Sequence, residues 1–218
     1  MRISDSEIYY MLAEVNRYLR MPVNRAEIVW SYAGVRPLFE VGGARDSDLS
    51  TLTRDYSFDI DHRDGRAAVL TVFGGKLTTH RRLAEDALAK LAHFLRPPRP
   101  GRTAREILPG GDLGAYGLYG FAAVLKRDFP WLPEGQVRRY ARLYGTRARM
   151  LLGAARQLAD LGDHIGADLY QREIDFLIET EWARTADDIL WRRTKLGLRL
   201  DPAAVAGLEA YLRSTTLS

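Results

Sequence analysis

The chain has 218 residues, of which 46% are apolar and 28% charged, and it has no cysteine. This excludes a disordered or collagen-like chain, disulfides, thiolate metal sites, iron–sulfur clusters and a cysteine nucleophile. The net charge of +4 admits acidic partners such as nucleic acid, anionic lipid or phosphorylated metabolites. The excess is small, and only Lys76, Lys90, Lys126 and Lys195 are lysines, so the arginine bias reads as a compositional habit.

The longest apolar runs, at 67–73 and 121–125, are too short to span a bilayer. The segment Met1-Arg2-Ile3-Ser4-Asp5 lacks the apolar stretch of a signal peptide, which fits the cytoplasm. The first helix is announced by Ser4-Asp5-Ser6-Glu7, a capping box, followed by Ile8, Met11, Leu12, Val15 and Leu19 at helical spacing. Pro22 ends it. Residues 27–38 are rich in β-branched and aromatic side chains and predict a strand closed by Gly34 and Pro37. Residues 40–52 predict a surface loop.

Two further strands follow. Tyr56, Phe58 and Ile60 alternate as in a half-buried strand, and Asp64-Gly65 signals a hairpin. Residues 67–73 are apolar on both faces and predict a central, buried strand. Gly74-Gly75 breaks it, and a helix is expected over 77–95 with Leu83, Ala84, Leu88, Leu91 and Leu95 inward. The prolines of Arg96-Pro97-Pro98-Arg99-Pro100-Gly101-Arg102 mark a linker. Beyond it the pattern predicts helices over 115–128, 134–144, 146–160, 168–180, 184–194 and 202–214, with no strand longer than a residue or two after Leu113.

The expected architecture is therefore α+β. A small partial sheet with helices fills 1–96, a linker runs over 97–102, and an all-α domain fills 103–218. A strand apolar on both faces needs neighbours and cover that this stretch does not contain. The chain is thus expected to be the C-terminal part of something larger, or to pair with another chain.

The segment Phe73-Gly74-Gly75-Lys76-Leu77-Thr78-Thr79 carries the most chemistry. A strand ends, glycines permit close approach, and a helix start presents free N–H groups beside a lysine. It reads equally as a seat for an anion, a phosphate or the electron-rich edge of a flavin, and as a plain turn whose threonines cap the helix. No Walker motif is present. Arg36 and Arg54 stand at the expected ends of strands. Taken singly, each reads as a surface residue or ion-pair partner; with Lys76 they define one cationic pocket for carboxylate or phosphate.

Residues 28–38, then Leu52-Thr53-Arg54-Asp55-Tyr56, then 72–79 resemble the C-terminal half of the aerobic, FAD-dependent glycerol-3-phosphate dehydrogenases. Leu108-Pro109-Gly110-Gly111 and residues 181–197 are similar to later segments of that family, in the family's order. The resemblance implies that 1–96 is the tail of the FAD- and substrate-binding domain. It implies oxidation of glycerol 3-phosphate to dihydroxyacetone phosphate, with FAD as acceptor and electrons passed to a membrane quinone. Carried over by position, Arg36 lies beside the flavin and the substrate hydroxyl as the catalytic residue. Arg36, Arg54 and Lys76 bind substrate, with Arg54 and Lys76 on the phosphate. Gly75, Lys76, Leu77 and Thr78 meet the flavin ring.

The chain departs from the family in lacking the glycine-rich GxGxxG turn and much of the substrate-covering domain, and in carrying His80 where tyrosine is commoner. The isolated chain is therefore expected to hold no FAD, to be inactive and to form homo-oligomers. The expected location is the inner face of the cytoplasmic membrane, on an anionic lipid surface.

His62, His80, His93 and His164 have no metal-ligand spacing, and no metal site is expected. His62 reads as solvated. Arg138, Arg139, Arg142, Arg147, Arg149 and Arg156 read as a solvated face balanced by acids, in preference to a nucleic-acid or lipid surface. Asp188 and Arg192 have stabilising i,i+4 spacing. Trp131, Trp182 and Trp191 read as core anchors. The alternative to the enzyme reading is a helical module for dimerisation or membrane docking without chemistry of its own.

Overall fold

Ser4 opens the first helix as its sequence requires. In the computed structural model, which describes residues 2–34, 55–63, 66–95, 101–115 and 117–216, its hydroxyl accepts from the Glu7 amide at 3.3 Å. Glu7 Oε2 accepts from the Ser4 amide at 2.8 Å. Helix α1 spans Asp5–Asn16. Asn16 then holds Val23 through both its amide ends, at 2.9 and 2.8 Å, turning the chain back into a 3-10 turn at Arg25–Glu27.

The expected strand at 27–38 does not form over its described part. Residues 28–34 join no sheet. Instead Trp30 and Tyr32 stack at 5.2 Å and line a groove with Ile8, Leu12 and Val15 of α1. Apolar β-branched content sets a tendency to extend, but a strand needs a partner ladder, and none of the described residues offers one here.

Strands β1 (Tyr56–Asp61) and β2 (Val69–Gly74) form an antiparallel hairpin, with Tyr56 opposite Gly74 and Asp61 opposite Val69. Its turn residues Asp64 and Gly65 lie outside the described residues. Tyr56, Phe58 and Ile60 are half-buried and Asp59 and Asp61 exposed, as the alternation predicts. The expected burial of β2 is corrected: among the described residues it pairs only with β1, and Val69 is 58% exposed. Helix α2 spans His80–Leu91, behind a 3-10 turn at Leu77–Thr79. Its inner side is Leu83, Ala87 and Leu91; Ala84, Leu88 and Leu95 are exposed, contrary to expectation. His62 is exposed but its ring packs, tilted, against Phe94 at 4.6 Å. These elements belong to one compact unit, Met1–Glu106, in which no described residue is buried.

The second unit, Ile107–Ser218, has a closed core. It contains α3 (Gly117–Asp128), α4 (Glu134–Tyr144), α5 (Ala148–Leu152), α6 (Gln171–Glu181), a π-helix at Asp188–Arg193 and α7 (Pro202–Thr216). Leu125, Val137, Tyr140, Leu152, Ile174, Leu177, Ile189 and Leu208 are fully buried among one another. The Leu108-Pro109-Gly110-Gly111 turn docks backbone to backbone on the corner after α4, where the Thr146 amide donates to Gly110 O at 3.0 Å. Gly145, at φ +53°, faces the Gly110 carbonyl so closely that no Cβ fits.

Three helical expectations are corrected, as is the expectation of no strand longer than a residue or two after Leu113. The helix expected over 146–160 stops at Gly153, whose φ of +52° leaves the helical region; Arg172 packs on the turn, its Nε donating to Leu151 O at 2.6 Å, and leaves no room for a Cβ there. Within 168–180, the helix begins only at Gln171. Before it a small antiparallel hairpin, β3 (His164–Gly166) with β4 (Leu169–Tyr170), interrupts the otherwise helical unit. Of the helix expected over 184–194, residues 186–193 are helical, with a π-helix over Asp188–Arg193. Among the described residues no helix is long and apolar enough to cross a membrane.

Candidate functional site

Strand β2 leads straight into the glycine turn. Gly74 and Gly75 take φ of +73° and +103°, which side-chain-bearing residues resist. A Cβ on Gly75 would stand 3.1 Å from Leu83 Cδ1 and 3.6 Å from Tyr56 Cβ, so the turn lies pressed between β1 and α2. No side chain caps the turn at Lys76 or the helix at Thr79. Thr79 Oγ1 instead donates back to Lys76 O at 3.1 Å. The capping reading of the threonines is thereby set aside: the Thr79 and His80 amides donate within the turn, to Lys76 O and Leu77 O, and the helix start has no side-chain acceptor. Lys76, Leu77 and Thr78 are exposed there, Leu77 at 89%.

The turn is braced from behind. Tyr56, opposite Gly74 in the ladder, donates its hydroxyl to Asp86 Oδ2 at 2.5 Å, and Arg82 Nε meets Asp86 Oδ1 at 3.2 Å. The Tyr56 hydrogen bond, with Arg82 adding to it, holds the Asp86 carboxyl below the usual range. The same bond pushes the Tyr56 hydroxyl up. His80 Nδ1 meets Leu77 O at 2.7 Å, which places the ring proton on Nδ1 and tightens the 3-10 turn.

Of the residues singled out from the sequence, Gly75, Lys76, Leu77 and Thr78 stand together at this helix start. Arg36 and Arg54 lie outside the described residues, as does the linker's proline run.

The second unit holds a polar centre that the sequence reading took for a solvated face. Glu173 is 0% exposed and receives both arms of Arg139, Nη1 to Oε1 and Nη2 to Oε2, each at 2.6 Å. Tyr144 donates to Oε1 at 2.5 Å. Arg139 Nε also meets Asp168 Oδ2 at 2.8 Å, and Arg199 meets the other carboxylate oxygen at 2.9 Å. Burial alone would lower the Arg139 pKa, but the hydrogen bonds and charge of Glu173 outweigh it and hold the guanidinium charged. Burial first, then the Glu173 charge, pushes both Tyr140 and Tyr144 up.

Of the other five arginines in that reading, three pair with acids: Arg138 with Glu134, Arg147 with Glu181 and Arg149 with Asp128. Asp188 and Arg192 meet at 3.2 Å, as their spacing predicts. Trp131 and Trp191 pack against the core, but Trp182 does not: it is 82% exposed. A helical wheel carried a signal for Glu173, which shares the inward stripe of α6 with Ile174 and Leu177. Nothing local marked Trp182.

The chain is thus an α+β unit ending in a glycine turn under an uncapped helix start, with a helical unit built on a buried ion pair. It belongs to the family of the C-terminal domain of alpha-glycerophosphate oxidase, whose profile matches residues 101–213. It is 44% identical over 212 residues to the aerobic glycerol-3-phosphate dehydrogenase of Escherichia coli, covering 97% of this chain and 41% of that protein. The glycerol-3-phosphate dehydrogenase of Pseudomonas aeruginosa is 42% identical, with 97% and 41% covered. The D-erythritol 1-phosphate dehydrogenase of Brucella abortus is 39% identical, with 98% and 42% covered. The chain spans about two fifths of the length of these curated relatives.

Proposed function

We propose that this chain is the C-terminal portion of an FAD-dependent dehydrogenase that oxidises glycerol 3-phosphate to dihydroxyacetone phosphate and passes electrons to a quinone. The observation that carries the reading is the turn at Gly74–Gly75: an uncapped helix start with Lys76 on it, within a chain matched almost end to end by the named relatives. The D-erythritol 1-phosphate dehydrogenase among them supports a substrate class of polyol phosphates, with glycerol 3-phosphate the first choice.

The residues present fit a flavin. A positive helix end without a side-chain cap, with Lys76 on it, suits a ring edge that gains negative charge on reduction. When bound, FAD would accept two electrons and a hydrogen from the substrate's secondary alcohol. Gly75, Lys76, Leu77 and Thr78 hold the ring edge in this reading. Lys76 and Arg54 hold the phosphate, because a dianion needs more than one cation. Arg36 stands beside the ring and the substrate hydroxyl. The glycine-rich turn that grips the pyrophosphate has no counterpart in this sequence, so the isolated chain neither retains FAD nor turns over. Homo-oligomerisation and peripheral association with the cytoplasmic face of a membrane complete the proposal.

The test is a chimera in which this chain replaces the matching part of the E. coli relative. The expected result is bound flavin and reduction of a dye acceptor by glycerol 3-phosphate, with Lys76→Ala raising KM at least tenfold. A chimera that binds flavin and folds but oxidises no polyol phosphate would overturn the reading.

A further inference from the structure

We propose that Tyr56 and Asp86 are positioning residues: their hydrogen bond fixes the start of α2, and with it Lys76, Leu77 and Thr78, against the flavin edge and the substrate phosphate. The inference rests on the flavin reading and adds to it two residues outside the Gly75–Thr78 turn.

The glycine turn has two anchors. On the strand side it leaves the ladder at Gly74, opposite Tyr56. On the helix side it runs through the 3-10 turn at Leu77–Thr79 into α2, and the Thr79 amide donates to Lys76 O at 3.0 Å. Tyr56 and Asp86 join those two sides. They are 30 residues apart in sequence, and the Tyr56 hydroxyl donates to Asp86 Oδ2 at 2.5 Å. Arg82, one turn earlier on α2, meets Oδ1 at 3.2 Å and orients the carboxylate. A hydrogen bond to an ionised acceptor is about twice as strong as a neutral one.

This bond lies directly behind the glycines. Leu83 and Asp86 stand at i,i+3 and share one side of α2. A Cβ on Gly75 would meet Leu83 from that side and the Cβ of Tyr56 from the other. The same tyrosine therefore bears on the turn with its Cβ and on α2 with its hydroxyl. Apolar packing gives α2 little hold, since no described residue of this unit is buried. A helix with few buried contacts shifts readily against its neighbours, and a directional bond limits that shift. Charge on a ring edge is stabilised only by groups aimed at it, and a misplacement of about 1 Å costs up to about a hundredfold in rate.

The test compares Tyr56→Phe, Asp86→Ala, Asp86→Asn and the double change of Tyr56→Phe with Asp86→Ala. Tyr56→Phe keeps the ring that packs on Phe58. Asp86→Asn drops the charge but keeps an oxygen for the hydroxyl. In the chimera with the E. coli relative, the midpoint potential of the flavin is titrated first, without substrate. Tyr56→Phe and Asp86→Ala should each shift the two-electron equilibrium about tenfold toward the oxidised form, a fall of about 30 mV. KM for glycerol 3-phosphate should rise about fivefold in both, because Lys76 moves with the turn. The double change should shift the potential no further than either single change, since one bond is lost in all three. Asp86→Asn should recover most of the shift. In this chain alone, hydrogen exchange of the Thr79 and His80 amides should quicken in Tyr56→Phe and Asp86→Ala and stay slow in Asp86→Asn.

A merely structural bond would lower thermal stability and leave the potential in place. An unchanged potential in Tyr56→Phe, additive shifts in the double change, or Asp86→Asn behaving as Asp86→Ala would each overturn the proposal. Potential and exchange are both read without substrate. A chimera that holds flavin but oxidises no polyol phosphate therefore defeats the proposed reaction, while these two readouts still decide the role of Tyr56 and Asp86.

Discussion

Arg139 and Glu173, 34 residues apart in sequence, meet fork to fork inside the helical unit, with two N–O distances of 2.6 Å and no solvent on the carboxylate. The pair ties α4 to α6, and through Asp168 it reaches the hairpin and Arg199. Removing one partner leaves a buried charge without its counter-ion. Arg139→Ala is expected to destabilise the chain by about 3–5 kcal/mol, whereas the double change to methionines should cost much less. Urea unfolding followed by circular dichroism checks both, and an equal loss for single and double variants would contradict the account.

The same centre sets an alkaline limit. Tyr140 and Tyr144 have folded pKa values raised by burial and by Glu173. A raised folded pKa means the folded state keeps its proton longer than the unfolded chain does. The stability is therefore fully present below the unfolded value of about 10 and is lost as pH climbs above it. Each tyrosine ionised only on unfolding should cost about 1.4 kcal/mol per pH unit in that range. The expected outcome is a falling urea midpoint above pH ~10, with a shallower fall in Tyr144→Phe.

Local chemistry was legible and long-range partnership was not. The Ser4–Glu7 box, the Tyr56–Phe58–Ile60 alternation and the glycine turn at 74–75 are decided within a few residues, and each stands where the sequence puts it. The break at Gly153 falls on a glycine that the run of helical spacing passed over, and the Arg172 that packs on it arrives from α6, of which a local pattern has no trace. The β3–β4 hairpin turns through Ala167, φ +51°, and Asp168 just after Gly166, but strands of three and two residues have no alternation to signal them. The Lys76 end of the proposed pocket was readable because it sits on a turn. Its convergence with Arg36 and Arg54 depends on residues outside those described.

Two glycines separate backbone strain from lack of space. Gly145 and Gly114 both have positive φ, but a Cβ at Gly145 collides with the Gly110 carbonyl while at Gly114 it meets nothing within 4 Å. Gly114→Ala should cost about 1 kcal/mol from φ alone. Gly145→Ala should cost about 3 kcal/mol or more, because the docked turn must also move. Thermal unfolding of the two variants side by side checks the ranking, and equal losses would show that the turn relaxes freely.

Trp182 supplies the opposite case, a residue whose removal should stabilise. Trp182→Gly relieves a left-handed strain of about 1–2 kcal/mol and gives part of it back as unfolded-chain entropy. The net gain expected is about 0.5–1 kcal/mol, a rise in Tm of ~1–4 °C for a chain of this size. Trp182→Ala keeps the strained backbone and should leave Tm unchanged, so the pair isolates the backbone effect.

The last prediction concerns the first unit, where none of the described residues is buried. Strand β2 pairs on one side only among the described residues, and Val69, Val72 and Phe73 stand exposed along it without a charge or proline to blunt the edge. β1 is different, because Asp59 and Asp61 guard its exposed face. The chain is therefore expected to associate with itself through β2, and Val72→Lys should shift gel filtration toward the smaller species. The same openness bears on the cofactor. A flavin ring at the Gly75 turn would touch the helix start and exposed Lys76, and no buried apolar residue stands near it among the described residues of this unit, where enclosure supplies most of a ligand's buried surface. Incubation with excess FAD followed by gel filtration should leave a colourless protein, and in the chimera with the E. coli relative the visible band should appear. A stoichiometric flavin band on the chain alone would show that the contacts at Gly75–Thr78 suffice and that the division of labour proposed for the two parts is wrong.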